Sequence, residues 1–456
     1  MPYKNEAKSY HSIRRLGDNE RIQALYNRCK IVTSDKLLSE IGTIAAHVEP
    51  SGWLPDLAVA IDGSEITHQV DNGYPGAEVG YITASAVLLN IKNLKAADEA
   101  RPIDPKAFRK LQTAQSIDAG LPGSNIVLDN CEDASASFRK ALFETMRDTK
   151  LEGSTESLLE TYQSLVAYRS QEDYIDCPYG DLCGDKKRVA PTLVGETKCG
   201  CGKPQYCSDL LRINEGLRDE AGNQSVYTES MQVFERLLLL NILRSLASNI
   251  ELVKSLHRVA FLVDGPLAVH GHPAWMSRSI MLELRRINEI VKAQTGVGLL
   301  IIGIEKSGLF VDHFTHVDIG NMDVVDDAIK REGAIKPGSL YLLTDKYIKE
   351  RIIYSDSPKP YGSQTYFGRK LFYKTRRGSL LTCSVPFFTE KSELLNDNSP
   401  ENFQRLSDAL ETLEALWSSR YTNALAPVIE AHAEATIPLN LGKALLKKLT
   451  AEMVSN

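Results

Sequence analysis

Twice in this chain an apolar, strand-forming run empties directly into Asp-Gly. The first is Leu57-Ala58-Val59-Ala60-Ile61-Asp62-Gly63-Ser64 and the second Ala260-Phe261-Leu262-Val263-Asp264-Gly265-Pro266-Leu267. A carboxylate at the end of a buried strand is held rigidly where the sheet opens to solvent. Two of them brought together make a hard-oxygen site suited to Mg²⁺ or Mn²⁺, and cations held that way are the usual machinery for hydrolysing phosphodiesters. Either Asp-Gly alone also fits a tight hairpin turn. The constraint therefore lies in the pair, and in whether the fold brings them together.

The order of the remaining elements follows from hydrophobic periodicity. Residues 1–48 are mixed and charged, with helical stretches at 19–29 and 34–47. A strand at 57–61 is followed by a polar turn at Asp71-Asn72-Gly73. Residues 77–90 are rich in β-formers around Gly80, fitting the second and third strands of an antiparallel hairpin sheet. From about 105 to 169 the pattern is mostly helical, as at 137–148 and 157–167, and 209–217 reads as a short helix. Thr228 caps a long helix over 228–249 bearing Met231, Phe234, Leu237, Leu238 and Ile242. A buried strand at 259–263 precedes an amphipathic helix at 277–295, with Ile280, Leu284, Ile287 and Val291 on one face, and a strand at 298–304. Later strands fall at 340–343, 366–373 and 380–385, and the tail from 401 is helical with breaks near Pro427 and Pro438.

Hairpin strands, a helix, a strand ending in Asp, a helix and a further strand is the order of a ribonuclease H-like fold. The expected class is α/β: a ribonuclease H-like mixed-sheet core with a helical insertion and a small zinc-binding insert. The layout is an N-terminal helical region (1–50), the first part of the core (51–100), the helical insertion (101–170), the cysteine-rich insert (171–220) and the remaining core with C-terminal helices (221–456).

Of eight cysteines, Cys177, Cys183, Cys199, Cys201 and Cys207 fall in one short window. In a reducing compartment such clustering points to metal rather than disulfides. Gly180, Gly184, Gly200 and Gly202 supply the tight turns a tetrahedral ion requires. Cys177, Cys183, Cys199 and Cys201 are the expected ligands of a structural Zn²⁺, with free thiols in a loop as the alternative. Cys207 precedes the capping pair Ser208-Asp209 and reads as a bystander. Cys29, Cys131 and Cys383 are isolated and read as buried small apolar residues.

In a ribonuclease H-like fold the first and fourth strands lie side by side, so Asp62 and Asp264 would face one metal site. A third carboxylate is needed from the preceding helix. Glu229 and Glu235 are the candidates; six residues apart on a helix, only one should face the site. His432 is a candidate fourth ligand, and Lys306, leaving the 298–304 strand, would neutralise a scissile phosphate. Arg369, Lys370, Lys374 and Arg376, interleaved with Tyr366, Phe367, Phe372 and Tyr373, fit a nucleic-acid rim of phosphate-neutralising and base-stacking groups. The same alternation describes any two-faced strand. His270-x-His272 lacks acidic or thiol neighbours in sequence and reads as loop.

Composition narrows the partners. A net charge of −6 argues against a protein that coats nucleic acid nonspecifically, while a local basic groove remains compatible with it. Apolar and charged contents of 43% and 25% are those of a soluble globular chain. The start Met1-Pro2-Tyr3-Lys4-Asn5-Glu6 has no apolar leader core and no run of eighteen apolar residues exists, so a cytoplasmic protein without a membrane partner is expected.

These motifs resemble the NurA nuclease family in its bacterial, cysteine-bearing form. The likeness lies in both Asp-Gly segments, in Ile301-Ile302-Gly303-Ile304-Glu305-Lys306-Ser307, in Phe372-Tyr373-Lys374, and in Ser208-Asp209-Leu210-Leu211-Arg212-Ile213-Asn214-Glu215. The late Pro427-Val428-Ile429-Glu430-Ala431-His432-Ala433-Glu434-Ala435 adds to it. The resemblance implies a ribonuclease H-like core that cuts DNA with Mn²⁺ or Mg²⁺, as a homodimer, with HerA, a hexameric FtsK-like ATPase. It implies Asp62 and Asp264 as metal-binding acids, Glu235 rather than Glu229 as the helix acid, and His432 as the late histidine. The long stretch between the first acid and the helix acid departs from the family. A non-catalytic scaffold and a ribonuclease H-like enzyme acting on RNA are the alternatives.

Overall fold

A computed structural model describes residues 15, 19–29, 46–47, 51–70, 77–91, 112–169, 177–178, 183, 195–218, 222–319, 324–325, 328–329, 335–389, 395–397, 399–417, 431–432, 435–436 and 446–448. Its centre is one nine-stranded mixed sheet. Eight strands are labelled here: β1 (Leu57–Gln69), β2 (Glu78–Asn90), β3 (Gln112–Pro122), β4 (Val259–Asp264), β5 (Leu300–Glu305), β6 (Ser339–Leu342), β7 (Gly368–Lys374) and β8 (Leu380–Pro386). The ninth is the two-residue strand Ala46–His47 beside β6. Across the sheet the order is Ala46–His47, β6, β7, β8, β5, β4, β1, β2, β3. β1, β2 and β3 are antiparallel neighbours, whereas β1–β4 and β4–β5 are parallel. The block 3-2-1-4-5 is the ribonuclease H-like core, and β8, β7 and β6 extend it by antiparallel pairing.

Three expectations that bear on the strands are corrected. β1 does not end at Asp62: Glu65, Ile66, Thr67 and His68 continue it in register with β2, so Asp62-Gly63 is neither a turn nor a strand end. Residues 112–122, expected within a helical block, form the third hairpin strand. Ile117, Ala119 and Leu121 are buried at period two while Asp118 and Gly120 are exposed, a strand pattern carried by few β-branched and no aromatic residues. Ala46–His47 pairs with β6 instead of ending a helix. Residues 34–45, the 71–73 turn and the tail breaks at 427 and 438 lie outside the described residues.

Four helices cover one face: α1 (Ala134–Asp148), α2 (Leu158–Val166), α3 (Gln224–Ala247) and α4 (Met276–Thr295). Asp133 caps α1, and Ser157 with Glu160 closes a capping box on α2. α3 begins at Gln224, earlier than the expected cap at Thr228, whose hydroxyl donates back to the Gln224 carbonyl within the first turn. Leu237, Leu238, Leu239 and Leu240 are all fully buried, because α3 lies between the sheet and the helices α2 and α4. The all-round apolar run follows from that position. Cys207–Leu211 and Ile213–Gly216 form two 3₁₀ turns where a helix was expected over 209–217.

Alternation along the strands separates two cores. Val59, Ile61, Phe261, Val263 and Ile301 face α1–α4. Ala58, Ala60, Ala260, Leu262, Ile302 and Ile304 face α6 (Leu406–Leu416) and Ala431. A third cluster joins Phe310 and Phe314 of α5 (Leu309–Ile319) to Tyr341 and Phe372. Each fully buried large side chain, such as Phe234 or Phe261, contributes roughly 1.5–3 kcal/mol.

Candidate metal sites

The parallel register of β1 and β4 pairs Ile61 with Val263, so one step further Asp62 and Asp264 stand level on adjacent strands. Both occupy even positions and face the side that carries Ala431. Their carboxyls make contact with each other, and the Lys306 ammonium bridges them at 3.3 Å from Asp62 Oδ2 and 3.1 Å from Asp264 Oδ1. Lys306 arrives there because β5 runs parallel beside β4 and ends one residue earlier. His432 Nδ1 lies 3.1 Å from Asp62 Oδ2, and the Gly63 N–H donates to Asp62 Oδ1 at 2.8 Å.

Glu235 approaches from α3, on the opposite face, and its carboxylate lies against Gly63, the residue after Asp62. Gly63 has no side chain there, and a Cβ added to it would fall 2.6 Å from Glu235 Oε1 and 2.7 Å from Met231 Cγ. Met231 and Glu235, four apart on one helical stripe, both fill that notch. Glu229 points elsewhere: its carboxylate accepts the His272 backbone N–H at 3.2 Å and lies 3.0 Å from His272 Nδ1. His272, read as lacking an acidic partner, thus has one, supplied by a residue distant in sequence.

Electrostatics fit a missing positive charge. Burial, reinforced by the charges of Asp62 and Asp264 and opposed by Arg236, pushes Glu235 up to about 8. Burial and then the Asp62 carboxylate push Asp264 up to about 6 against the pull of Lys306. The hydrogen bond to Asp62 holds His432 above its ordinary value. Carboxylates crowded enough to favour protonation are a donor set that a hard divalent cation would relieve, so these residues suit Mg²⁺ or Mn²⁺. The expected cage of Asp62, Asp264, Glu235 and His432 is not closed: no three of them bring donor atoms within 4.8 Å of one another, and the Lys306 ammonium occupies the space beside both aspartates.

The thiols of Cys177, Cys183, Cys199 and Cys201 do converge. Their Sγ atoms all lie within 4.8 Å of one another, the only such set of His, Cys, Asp or Glu donors among the described residues. Cys177–Cys199 and Cys183–Cys199 are 3.3 and 3.9 Å apart, against about 3.8 Å for sulfurs on a tetrahedral zinc. A small hairpin, Glu196–Lys198 with Pro204–Tyr206, presents Cys199 and Cys201 in its turn, where the Cys199 N–H donates to Lys203 O and the Gly202 N–H to Cys199 O. Cys207 is outside the set, and burial pushes its thiol up to about 12. The donors fit Zn²⁺.

The basic rim is corrected. β7 is an interior strand buried on both faces, so Arg369, Lys370 and Lys374 lie within the protein. Arg369 donates to Asp397 O at 3.0 Å, Lys370 pairs with Glu305, and Lys374 donates to both Asp318 oxygens at 2.8 Å. Arg376 is partly exposed but pairs with Glu411 at 3.0 Å and Glu414 at 3.5 Å. These four do not form a solvent-facing strip.

Strand order and acid placement define a ribonuclease H-like α/β protein with a carboxylate site on its first and fourth core strands. Over nearly its whole length the chain is similar to solved NurA structures. One is the NurA nuclease from Sulfolobus solfataricus, with 8% identity, 98% of each chain covered and a TM-score of 0.36. A NurA structure with manganese has 12% identity, 97% of each chain covered and a TM-score of 0.30. No family model matches, and no curated protein does. No helix of the described residues is long and apolar enough to cross a membrane.

Proposed function

We propose that the chain is a metal-dependent nuclease hydrolysing phosphodiester bonds of DNA. The observation that carries the reading is the contact between Asp62 and Asp264 across a parallel strand pair, with Lys306 bridging them. Asp62, Asp264 and Glu235 would hold Mg²⁺ or Mn²⁺, which when bound polarises a phosphate and acidifies a water. Lys306, beside both aspartates, would offer its ammonium to a phosphate bound there. His432 hydrogen-bonds Asp62 and orients its carboxylate. Cys177, Cys183, Cys199 and Cys201 would hold Zn²⁺ structurally, because four protein ligands leave no open position.

The motif resemblance supports the finer reading: a homodimer working with a HerA-type hexameric ATPase in DNA end processing or phage defence. The test is linear DNA incubated with the purified chain, with and without Mn²⁺, alongside Asp62→Asn. Wild type should cut only with metal, and the variant should lose essentially all cleavage while keeping its fold. Metal-dependent cutting by the variant would reject Asp62. Activity confined to RNA, or none on either nucleic acid, would favour the ribonuclease or scaffold alternative.

A further inference from the structure

Next to Glu235 on α3 is Arg236, a guanidinium only 2% exposed. Its Nε donates to Ala268 O and its Nη2 to Pro266 O, each at 3.1 Å, and its Nη1 stands 3.4 Å from Glu235 Oε2. One side chain thus joins the helix acid to the turn immediately after Asp264. We propose that Arg236 is a positioning residue of the carboxylate site, locking the 266–268 turn to α3 so that Asp264 and Glu235 face one cation. The inference rests on the nuclease reading above.

Burying a charge costs several kcal/mol, and an apolar residue of similar volume often packs a core as well or better. The cation therefore calls for an explanation beyond packing, and its partners supply one. Gly265, with φ of +77°, starts the turn, and its N–H donates to Ile304 O at 2.7 Å. The Leu267 N–H donates to Ser384 Oγ at 2.9 Å, and Leu267 O accepts from the Phe367 N–H. Those bonds tie the turn to β5, β8 and the residue before β7. The Pro266 carbonyl also accepts the Ala268 N–H at 2.8 Å, and from α3 Arg236 adds a second donor to it and one to Ala268 O. Only the planar fork of an arginine reaches both carbonyls and still approaches Glu235. Lysine would retain the charge and lose the geometry.

The experiment compares wild type, Arg236→Lys, Arg236→Gln and Asp62→Asn as full chains, dialysed without chelator so that thiol-bound metal stays. Calorimetric Mn²⁺ titration and the Mn²⁺ dependence of DNA cleavage are measured, with circular dichroism confirming the fold. Both Arg236 variants should bind Mn²⁺ roughly 10–100-fold more weakly, with cleavage largely recovered at saturating Mn²⁺. A merely structural arginine would lower Tm and leave Mn²⁺ affinity unchanged. Wild-type affinity in Arg236→Lys overturns the proposal, and that variant decides if Arg236→Gln does not fold. If Asp62→Asn also binds Mn²⁺ like wild type, the nuclease reading itself fails; if only Asp62→Asn is impaired, the positioning role alone falls.

Discussion

At the scale of single residues, the site depends on an atom that is missing. Glu235 comes from the helix face of the sheet, whereas Asp62 and Asp264 point to the other, and the missing side chain at Gly63 leaves room for its carboxylate next to Asp62, whose charge it feels. Gly63→Ala would put a methyl group against Glu235 Oε1 and Met231 Cγ. The expected result is a loss of about 1–3 kcal/mol in stability, as for other overpacked sites, and a weaker response to Mn²⁺. Thermal melts with and without Mn²⁺ check this: an unchanged metal-induced rise in Tm would show that Glu235 does not need the gap. Gly63 could be read in the sequence only as half of Asp-Gly, a turn signal, because what it makes room for lies on a helix far along the chain.

At the scale of elements, two local assemblies hold the frame. The hairpin turn around Cys199 and Cys201 has little apolar core of its own and depends on its thiols. Cys199→Ser should abolish zinc content measured by elemental analysis and lower Tm, while Cys207→Ser should leave zinc unchanged; equal loss in both would reassign the ligands. Between α3 and α4, Arg244 pairs with Glu156 and Glu283, and Glu283 also accepts from Arg286 and Tyr168. Burial alone would raise Glu283, but the bonds from Arg286 and Tyr168 and the charge of Arg244 outweigh it and hold the carboxyl at about 2. A depressed carboxyl stabilises fully above its ordinary value near 4.5 and loses that contribution as pH falls toward 2. Glu283→Gln should therefore cost on the order of 3 kcal/mol at neutral pH, with the gap closing in melts between pH 4.5 and 2. A constant gap would contradict the ion-pair account.

At the scale of the whole molecule, the carboxylate site is assembled from distant parts of the chain. Asp62 sits in the first hairpin, Glu235 and Asp264 beyond the helical and cysteine segments, and His432 near the end. His432 meets Asp62 while its neighbour Ala431 is fully buried in the second core. Ending the chain before Ala431 should cost about 1–2 kcal/mol from the buried alanines, lower Tm by several degrees, and reduce cleavage more than His432→Ala does. Equal activity in the truncated and full chains would separate the tail from the site.

Local chemistry settled much of this from sequence. Strands 259–264 and 300–305, the helices α1, α2 and α4 and the zinc-type cysteine set were legible, because apolar periodicity and ligand spacing act over a few residues; each Asp-Gly was legible too, but the meeting of Asp62 with Asp264 followed only from the order of the elements and the fold which that order implies. Tertiary structure decided the rest. The strand at 112–122 became one because β2 offered an edge to pair with. Arg369, Lys370 and Lys374 went inside because β7 is flanked on both sides. Lys306 came to lie between the aspartates, and Arg236 to clamp the turn, through parallel register and helix packing. Such placements depend on which strands become neighbours, and long-range pairing leaves no trace in the pattern of either segment alone.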